Sequence, residues 1–144
     1  MTVAAILKHK GHHVFTIDPE MTVSVISATL TRHRIGAALV TGHDGQVLGI
    51  VSERDIVNSI ATNGVRTLEM TAGQLMTRAV HLAHPDMTVE EAMHKMTLGR
   101  IRHLPVMRDE ALVGMISIGD VVKARIMRQE TEVDSMRAYI SGAA

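Results

Sequence analysis

Two short segments of this chain combine residue types that suit a ligand with paired hydroxyls and an anionic group. One runs from Gly49 to Asp55 with Ser52 inside it, and the other from Gly114 to Asp120 with Ser117 inside it. A helix that begins at such a serine offers free N–H groups and a positive dipole end, which favour anions. A carboxylate at the same place can accept hydrogen bonds from neighbouring hydroxyls, as on a ribose.

A purely structural role would explain the same spacing. Serine followed three residues later by an acid is a capping box, in which the hydroxyl and the carboxylate each satisfy a backbone N–H group. For a single occurrence capping would be the better interpretation. Binding is favoured here because the segment occurs twice, each time after an apolar run, so that two pseudo-symmetric sites would open onto a cleft between the copies.

The whole region around these segments is repeated. Aligning Pro19 with Pro85 brings the two copies into step at an offset of 66 residues, which becomes 65 after a turn. The shared residues are Met21, Thr22, Val23, Arg34, Ile35, Val40, Gly49, Ser52, Asp55 and Val57, matched by Met87, Thr88, Val89, Arg100, Ile101, Val106, Gly114, Ser117, Asp120 and Val122. Ordered matches of this kind indicate an internal duplication.

Each copy predicts the same β-α-β-β-α unit. Thr88 and Glu91 form a capping-box pattern at the start of one helix, and Asp44-Gly45 is a hairpin signal. The predicted strands are Val14–Ile17, Ala37–Val40, Leu48–Val51, Val80–Leu82, Leu104–Met107 and Leu112–Ile116, with first helices at Val23–Arg34 and Val89–Gly99. The fold class is therefore α/β, with two repeats packed around a pseudo-twofold axis because neither buries its apolar surface alone.

The predicted domain boundaries follow the repeat. Residues 1–62 form the first copy, 63–73 a linker, 74–128 the second copy and 129–144 a helical C-terminal extension. The extension continues an approximate heptad pattern, broken at Gln129. Its apolar members are Val122, Ile126, Val133, Met136 and Ile140. The helix either folds back onto its own core or forms a subunit interface, and the pattern alone leaves both open.

Composition excludes several classes of protein. Lys plus Arg and Asp plus Glu number 15 each, so no bulk charge favours nucleic acid or an anionic membrane. No run approaches the roughly 20 apolar residues of a membrane helix. Cysteine is absent, and His9, His12 and His13 lie around a helix-breaking Gly11 without a nearby carboxylate, so we expect no metal site. The expectation is a soluble cytoplasmic protein.

In its motifs the sequence resembles a tandem CBS-domain protein (named for cystathionine β-synthase), the arrangement called a Bateman module. The resemblance covers residues 3–122. It rests on Ile35-Gly-Ala-Ala-Leu-Val40 leading to the first Gly-to-Asp segment, and on Arg100-Ile-Arg-His-Leu-Pro-Val106 leading to the second. It implies a non-catalytic regulatory module whose ligand is an adenine nucleotide (AMP, ADP or ATP) or a relative such as NAD or S-adenosylmethionine.

The resemblance also implies two binding sites, each with residues of both repeats. In the main site Asp120 and Ser117 would hold the ribose, Arg102 and His103 the phosphates, and Thr16 with the backbone of Ile35 and Gly36 the adenine. The second site would use Ser52, Arg54, Asp55, Leu82, Ile101 and Arg102. Gly36 and Ala37 occupy the positions that match Arg102 and His103, so we expect the second site to bind phosphate more weakly.

Two function classes remain open. In the first, nucleotide binding changes the relative angle of the repeats. We expect no other fused domain, so the signal would pass through oligomerisation or to a separate regulated protein. In the second, the chain is an interaction or oligomerisation module without ligand control. The residues identify neither the regulated protein nor the particular nucleotide. A homodimer is expected in either case, since CBS pairs commonly associate.

Overall fold

A computed structural model describes residues 1–142 and shows a mixed α/β fold, which confirms the predicted class. The elements are α1 (Val3–Lys10), β1 (Thr16–Ile17), α2 (Val23–His33), β2 (Ala37–Thr41), β3 (Val47–Ser52), α3 (Glu53–Asn63), a 3-10 helix (Gly64–Glu69), α4 (Ala72–Leu75), α5 (Val89–Gly99), β4 (His103–Arg108), β5 (Ala111–Ser117) and α6 (Ile118–Gly142). They form two compact units. The first unit is Val14–Val80, and the second unit is Met1–His13 together with the chain from His81 onward.

The first unit is built on a three-stranded sheet in the order β1-β2-β3. Strand β1 runs parallel to β2, and β2 pairs with β3 in antiparallel fashion through the predicted hairpin. Gly45 has a φ of +79° in that turn, and the carboxylate of Asp44 accepts a hydrogen bond from the backbone N–H of Gln46 at 3.0 Å. Its core is aliphatic and includes Ile17, Val23, Ile26, Val40 and Val51.

The second unit repeats this plan with one strand missing. Strands β4 and β5 form an antiparallel hairpin, but the strand predicted at Val80–Leu82 is absent, and only Ala83 forms a bridge, to Val106. Pro105 explains the difference, since it stands where Leu39 stands in the first unit. The N–H of Leu39 donates to the carbonyl of Phe15, whereas proline has no N–H to donate.

Residues 1–13 are part of the second unit, and the segment that ends at Val80 is part of the first unit. Helix α1 was not predicted, and its Val3, Ile6 and Leu7 are buried in the second unit's core. A Cβ on Gly114 would lie 2.6 Å from Cδ2 of Leu7, and one on the matching Gly49 would lie 2.7 Å from the carbonyl oxygen of Thr77. A side chain at Gly49 would collide with backbone, and one at Gly114 would require the Leu7 side chain to move.

The compact units and the predicted repeats divide the chain differently. Residues 1–13, predicted from the sequence as part of the first repeat, have their apolar side chains buried in the second unit. The predicted linker at residues 63–73 is a folded part of the first unit. Thr67 and Ala72 are buried there, and Thr67 shares a hydrogen bond of 2.9 Å with Ser59.

Helix α6 continues without interruption for 25 residues, well past the second unit's core. Its buried residues are Val121 and Ala124, and every described residue from Ile126 to Gly142 is exposed. The alternative in which this helix folds back onto its own core is therefore wrong for residues 126–142. None of the helices within residues 1–142 combines the length and apolar character needed to cross a bilayer.

Candidate functional site

Both Gly-to-Asp segments lie at the junction of a strand and a helix, as predicted. In the first unit Ser52 ends β3 and caps α3. Its Oγ accepts from the N–H of Asp55 at 3.3 Å, while Oδ2 of Asp55 accepts from the Ser52 N–H at 2.8 Å and from its hydroxyl at 3.0 Å. The capping box considered in the sequence analysis is thus present, so the serine and the aspartate have a structural role whatever else they do.

The second unit reproduces this geometry at the start of α6. Oδ2 of Asp120 accepts from the Ser117 N–H at 2.8 Å and from the Ser117 hydroxyl at 3.0 Å, and Oγ of Ser117 accepts from the Asp120 N–H at 3.3 Å. Equal distances at both junctions show that the duplication extends to side-chain positions. Each carboxylate is therefore held in one orientation at a helix N-terminus.

The start of a neighbouring strand is tied to each of these helix N-termini. The carbonyl of Arg102 accepts from the Ile118 N–H at 2.8 Å, and the carbonyl of Gly36 accepts from the Glu53 N–H at 2.9 Å. In the strand register His103 lies opposite Ser117. Four residues predicted for the main site are consequently neighbours in the second unit. They are Arg102, His103, Ser117 and Asp120.

The other predicted residues divide between the units. In the first unit Thr16 lies exposed on β1, while Ile35 packs against the core beside Gly36 at the end of α2. Arg54 lies in the first turn of α3, next to the capping box. In the second unit Leu82 precedes the bridge residue Ala83 and Ile101 packs against the core. That residues of both units contribute to one site remains a prediction.

The two carboxylates differ in their remaining partners. Oδ2 of Asp120 also accepts a hydrogen bond from Nζ of Lys10 at 2.6 Å, and this ammonium donates to the Met115 carbonyl at 2.9 Å as well. In the first unit Oδ1 of Asp55 accepts instead from the hydroxyl of Thr77 at 3.2 Å. One aspartate therefore faces a cation, whereas its counterpart faces a neutral donor.

Lys10 is a site residue that sequence reasoning missed. It ends α1, which lies outside the segment that the repeat alignment covers, and its target is 110 residues away in the chain. Neither spacing nor periodicity connects the two. The only local signal was the cluster of basic residues in the last turn of α1, which is typical of a helix C-terminus in general.

The surroundings of Asp120 keep it ionised. Partial burial alone would raise the pKa of this carboxyl, but hydrogen bonds from Lys10 and Ser117 and the charge of Lys10 outweigh it and hold the pKa below its usual value. An ionised carboxylate accepts hydrogen bonds and donates none. Asp120 therefore suits a ligand that presents hydroxyl groups.

An open depression of about 190 Å³ borders Asp120 within the second unit. Its lining includes the apolar residues Ala5, Ile6 and Ala124 and the charged residues Lys10, Asp120 and Lys123. The carboxylate is thus reachable from solvent on a surface with two ammonium groups. Within residues 1–142, no three His, Cys, Asp or Glu side chains are grouped closely enough to hold a metal ion.

Comparisons with known proteins agree with this architecture. The family model described as CBS domain matches residues 4–62 and 72–127. The Arabidopsis thaliana protein named "CBS domain-containing protein CBSX3, mitochondrial" is 34% identical over 98% of this chain and 72% of its own length. The crystal structure of the CBS-domain protein ATU1752 from Agrobacterium tumefaciens is 43% identical and has a TM-score of 0.85, covering 86% of this chain and 92% of that one.

Two more distant solved structures contain ligands. A CBS domain protein from Pyrobaculum aerophilum, complexed with AMP, is 25% identical with a TM-score of 0.72, and the match covers 83% of this chain and 89% of that one. The CBS domain pair of MJ0100, in complex with 5-methylthioadenosine and S-adenosyl-L-methionine, is 25% identical with a TM-score of 0.78, over 89% of this chain and 98% of that one. These comparisons confirm the resemblance seen in the sequence.

Proposed function

Since this chain belongs to the CBS-domain family, as a pair of CBS repeats, we propose that it is a regulatory module that binds an adenine nucleotide and catalyses no reaction. The observation that carries the proposal is the repeated helix N-terminus with its fixed carboxylate. The ligands of the Pyrobaculum and MJ0100 proteins support it, because all of them contain an adenosyl group.

The carboxylate of Asp120 would bind the ribose. Its hydrogen bonds from Ser117 and Lys10, in the described part of the chain, converge on Oδ2. Oδ1 is therefore the oxygen that would accept from a ribose hydroxyl. In the first unit Oδ2 of Asp55 is engaged by Ser52 and Oδ1 by Thr77, so a ribose hydroxyl would share Oδ1 with Thr77 there.

Cations near Asp120 make a phosphorylated ligand the best fit. Arg102 precedes β4 and its carbonyl bonds to the start of this helix, His103 begins β4, and Lys10 donates to the carboxylate itself. Arginine matches phosphate oxygens through two parallel hydrogen bonds. Gly36 and Ala37 hold the corresponding positions in the first unit. We therefore assign the stronger phosphate site to Asp120, with AMP, ATP or NAD as candidate ligands.

The remaining parts of the proposal come from the sequence. Thr16, Ile35 and Gly36 would complete the Asp120 site, and Leu82, Ile101 and Arg102 the Asp55 site, so that a ligand responds to both repeats. The signal would pass to a regulated protein through a homodimer. A cytoplasmic location also stays a prediction, and the Arabidopsis relative is described as mitochondrial.

A thermal-shift panel tests the binding proposal. At about 100 times its dissociation constant a ligand adds about 2.7 kcal/mol to the free energy of unfolding, which gives a clear increase in Tm. We expect AMP, ATP or NAD to produce this increase and the guanine counterparts to produce less. Melting curves that stay unchanged across millimolar adenine ligands would favour the second class, a ligand-independent interaction module. The exposed apolar residues of α6 support that alternative.

A further inference from the structure

The distal part of α6 carries a row of exposed apolar side chains without a partner in the described chain. Val133, Met136 and Ile140 are 48%, 66% and 68% exposed, and Val122 and Ile126 continue the row toward the second unit. They recur at the first and fourth positions of a heptad, with Gln129 as the one polar member. We define these six residues as the α6 seam, and the seam extends over about 28 Å of helix.

We propose that the α6 seam pairs with the same seam of a second copy as a parallel two-stranded coiled coil. This inference rests on the homodimer of the proposed function and names its surface. It does not depend on nucleotide binding. Apolar residues at the first and fourth heptad positions are what such a pairing buries, and a single polar member fixes the register at some expense of stability.

The charges beside the seam select the parallel orientation. Ile126 and Val133 occupy first positions of the heptad. In a parallel pair, the residue immediately before a first position faces the residue five places later on the other helix. Glu132 then faces Arg137 of the second copy, and Arg125 faces Glu130 of the second copy. Within the chain Glu132 also accepts from Arg128 at 3.2 Å and Arg125 also donates to Glu90 at 3.0 Å, so the intermolecular pairs would share these side chains. Each attractive pair occurs twice by symmetry.

An antiparallel pair with full overlap brings like charges together. Glu130 and Glu132 would each face their own counterpart in the second copy, and Lys123 would face Arg137. Like charges at these flanking positions destabilise a coiled coil and so determine its orientation. The sequence of charges therefore favours the parallel pair and disfavours the alternative.

Contacts within the second unit hold the first turns of α6 in a helical conformation. Val121 and Ala124 anchor the base of the helix in the core, and Arg125 and Arg128 donate to Glu90 of α5 at 3.0 and 2.8 Å. The first helical turns are thus formed before association, which removes much of the cost of nucleating a helix. Because fewer than three heptads are available, we expect a dimer that dissociates on dilution.

The test measures the mass of the full-length chain across a range of micromolar concentrations by analytical ultracentrifugation. We expect a monomer–dimer equilibrium. Met136→Glu places a charge in the seam and should raise the dimer dissociation constant about 10-fold or more. Ala138→Glu adds the same charge on the opposite side of the helix and should leave the constant unchanged. Both positions are exposed in the monomer, and circular dichroism checks that the helix is retained.

Orientation is tested separately. Since the chain has no cysteine, Ile140→Cys should form an intermolecular disulfide under mild oxidation, because a parallel pair places the two copies of this position side by side. Glu132→Arg should weaken the dimer, and adding Arg137→Glu should restore it. A monomer at all concentrations overturns both the homodimer and this inference. A dimer that tolerates Met136→Glu, or that does not cross-link through Ile140→Cys, overturns the inference alone.

Discussion

Replacing the two matched aspartates one at a time should separate the two predicted sites. Asp55→Ala and Asp120→Ala remove the same capping box from equivalent helices, so each should cost about 1 kcal/mol of stability. Asp120→Ala also removes the ion pair with Lys10. In this pair the side chain of Lys10 is 38% exposed and that of Asp120 is 22% exposed. A pair this open to solvent contributes about 0.5–1 kcal/mol.

The two variants should differ much more in their affinity for AMP than in their stability. A hydrogen bond to a charged group contributes about 1.5–3 kcal/mol, so loss of the ribose contact should weaken AMP binding roughly 10- to 100-fold. We expect this loss for Asp120→Ala. Asp55→Ala should leave the tighter binding event nearly unchanged, because Asp55 is engaged by Thr77 and lacks cationic neighbours at the matching strand positions.

Isothermal titration calorimetry of both variants, after their melting curves have shown them folded, measures this ranking. Each variant is the control for the other, since the capping contribution is shared. If Asp55→Ala weakens AMP binding more than Asp120→Ala does, the assignment of the stronger site is reversed. If neither changes the affinity, the carboxylates serve only as helix caps.

Two further changes test the cations around Asp120. Arg102→Ala should weaken AMP binding roughly 10-fold or more while leaving adenosine binding nearly unchanged, because only the phosphate contact is lost; an equal loss for both ligands in calorimetry would contradict this role. Lys10→Met should raise the pKa of Asp120, since burial opposes ionisation and the lysine's contribution is gone. An ionised carboxylate with a lowered pKa stabilises the fold above its unfolded-state pKa and loses that contribution as the pH falls through its folded pKa. The variant should therefore begin to unfold at a higher pH on acidification, and an NMR titration of the Asp120 carboxyl that matches the wild type would exclude the effect.

The sequence predicted the parts of the fold that the duplication marks. Ser52 and Ser117 with their aspartates, the hairpin at Asp44-Gly45 and the helix starting after Thr88 all depend on short-range spacing, and the structure confirms each. The same spacing brought Arg102 and His103 next to Ser117 through the strand register. These features are local because capping and turn geometry involve only three or four residues.

What the sequence could not supply depends on contacts between distant segments. Helix α1 is short and weakly periodic, and it packs against β5, where Leu7 closely approaches Gly114 in a distant part of the sequence. Lys10 was missed for the same reason. The strand predicted at residues 80–82 is absent because of Pro105. That proline lies on β4, the strand with which residues 80–82 would have paired. The course of α6 past the core was left open because an apolar heptad pattern is typical of both packed helices and interfaces.

During synthesis, helix α1 emerges well before the strands against which it packs. Ile6 and Leu7 leave the ribosome among the first residues, but the β4–β5 hairpin that covers them is made later by on the order of 100 residues, or roughly 5–20 s of translation. Until then α1 has no core to join. A polypeptide cut after Val80 would leave Gly114 without Leu7, the residue that covers it, whereas Gly49 would keep Thr77. The second unit can therefore form only after residues from both of its separate stretches, 1–13 and 81 onward, have been synthesised.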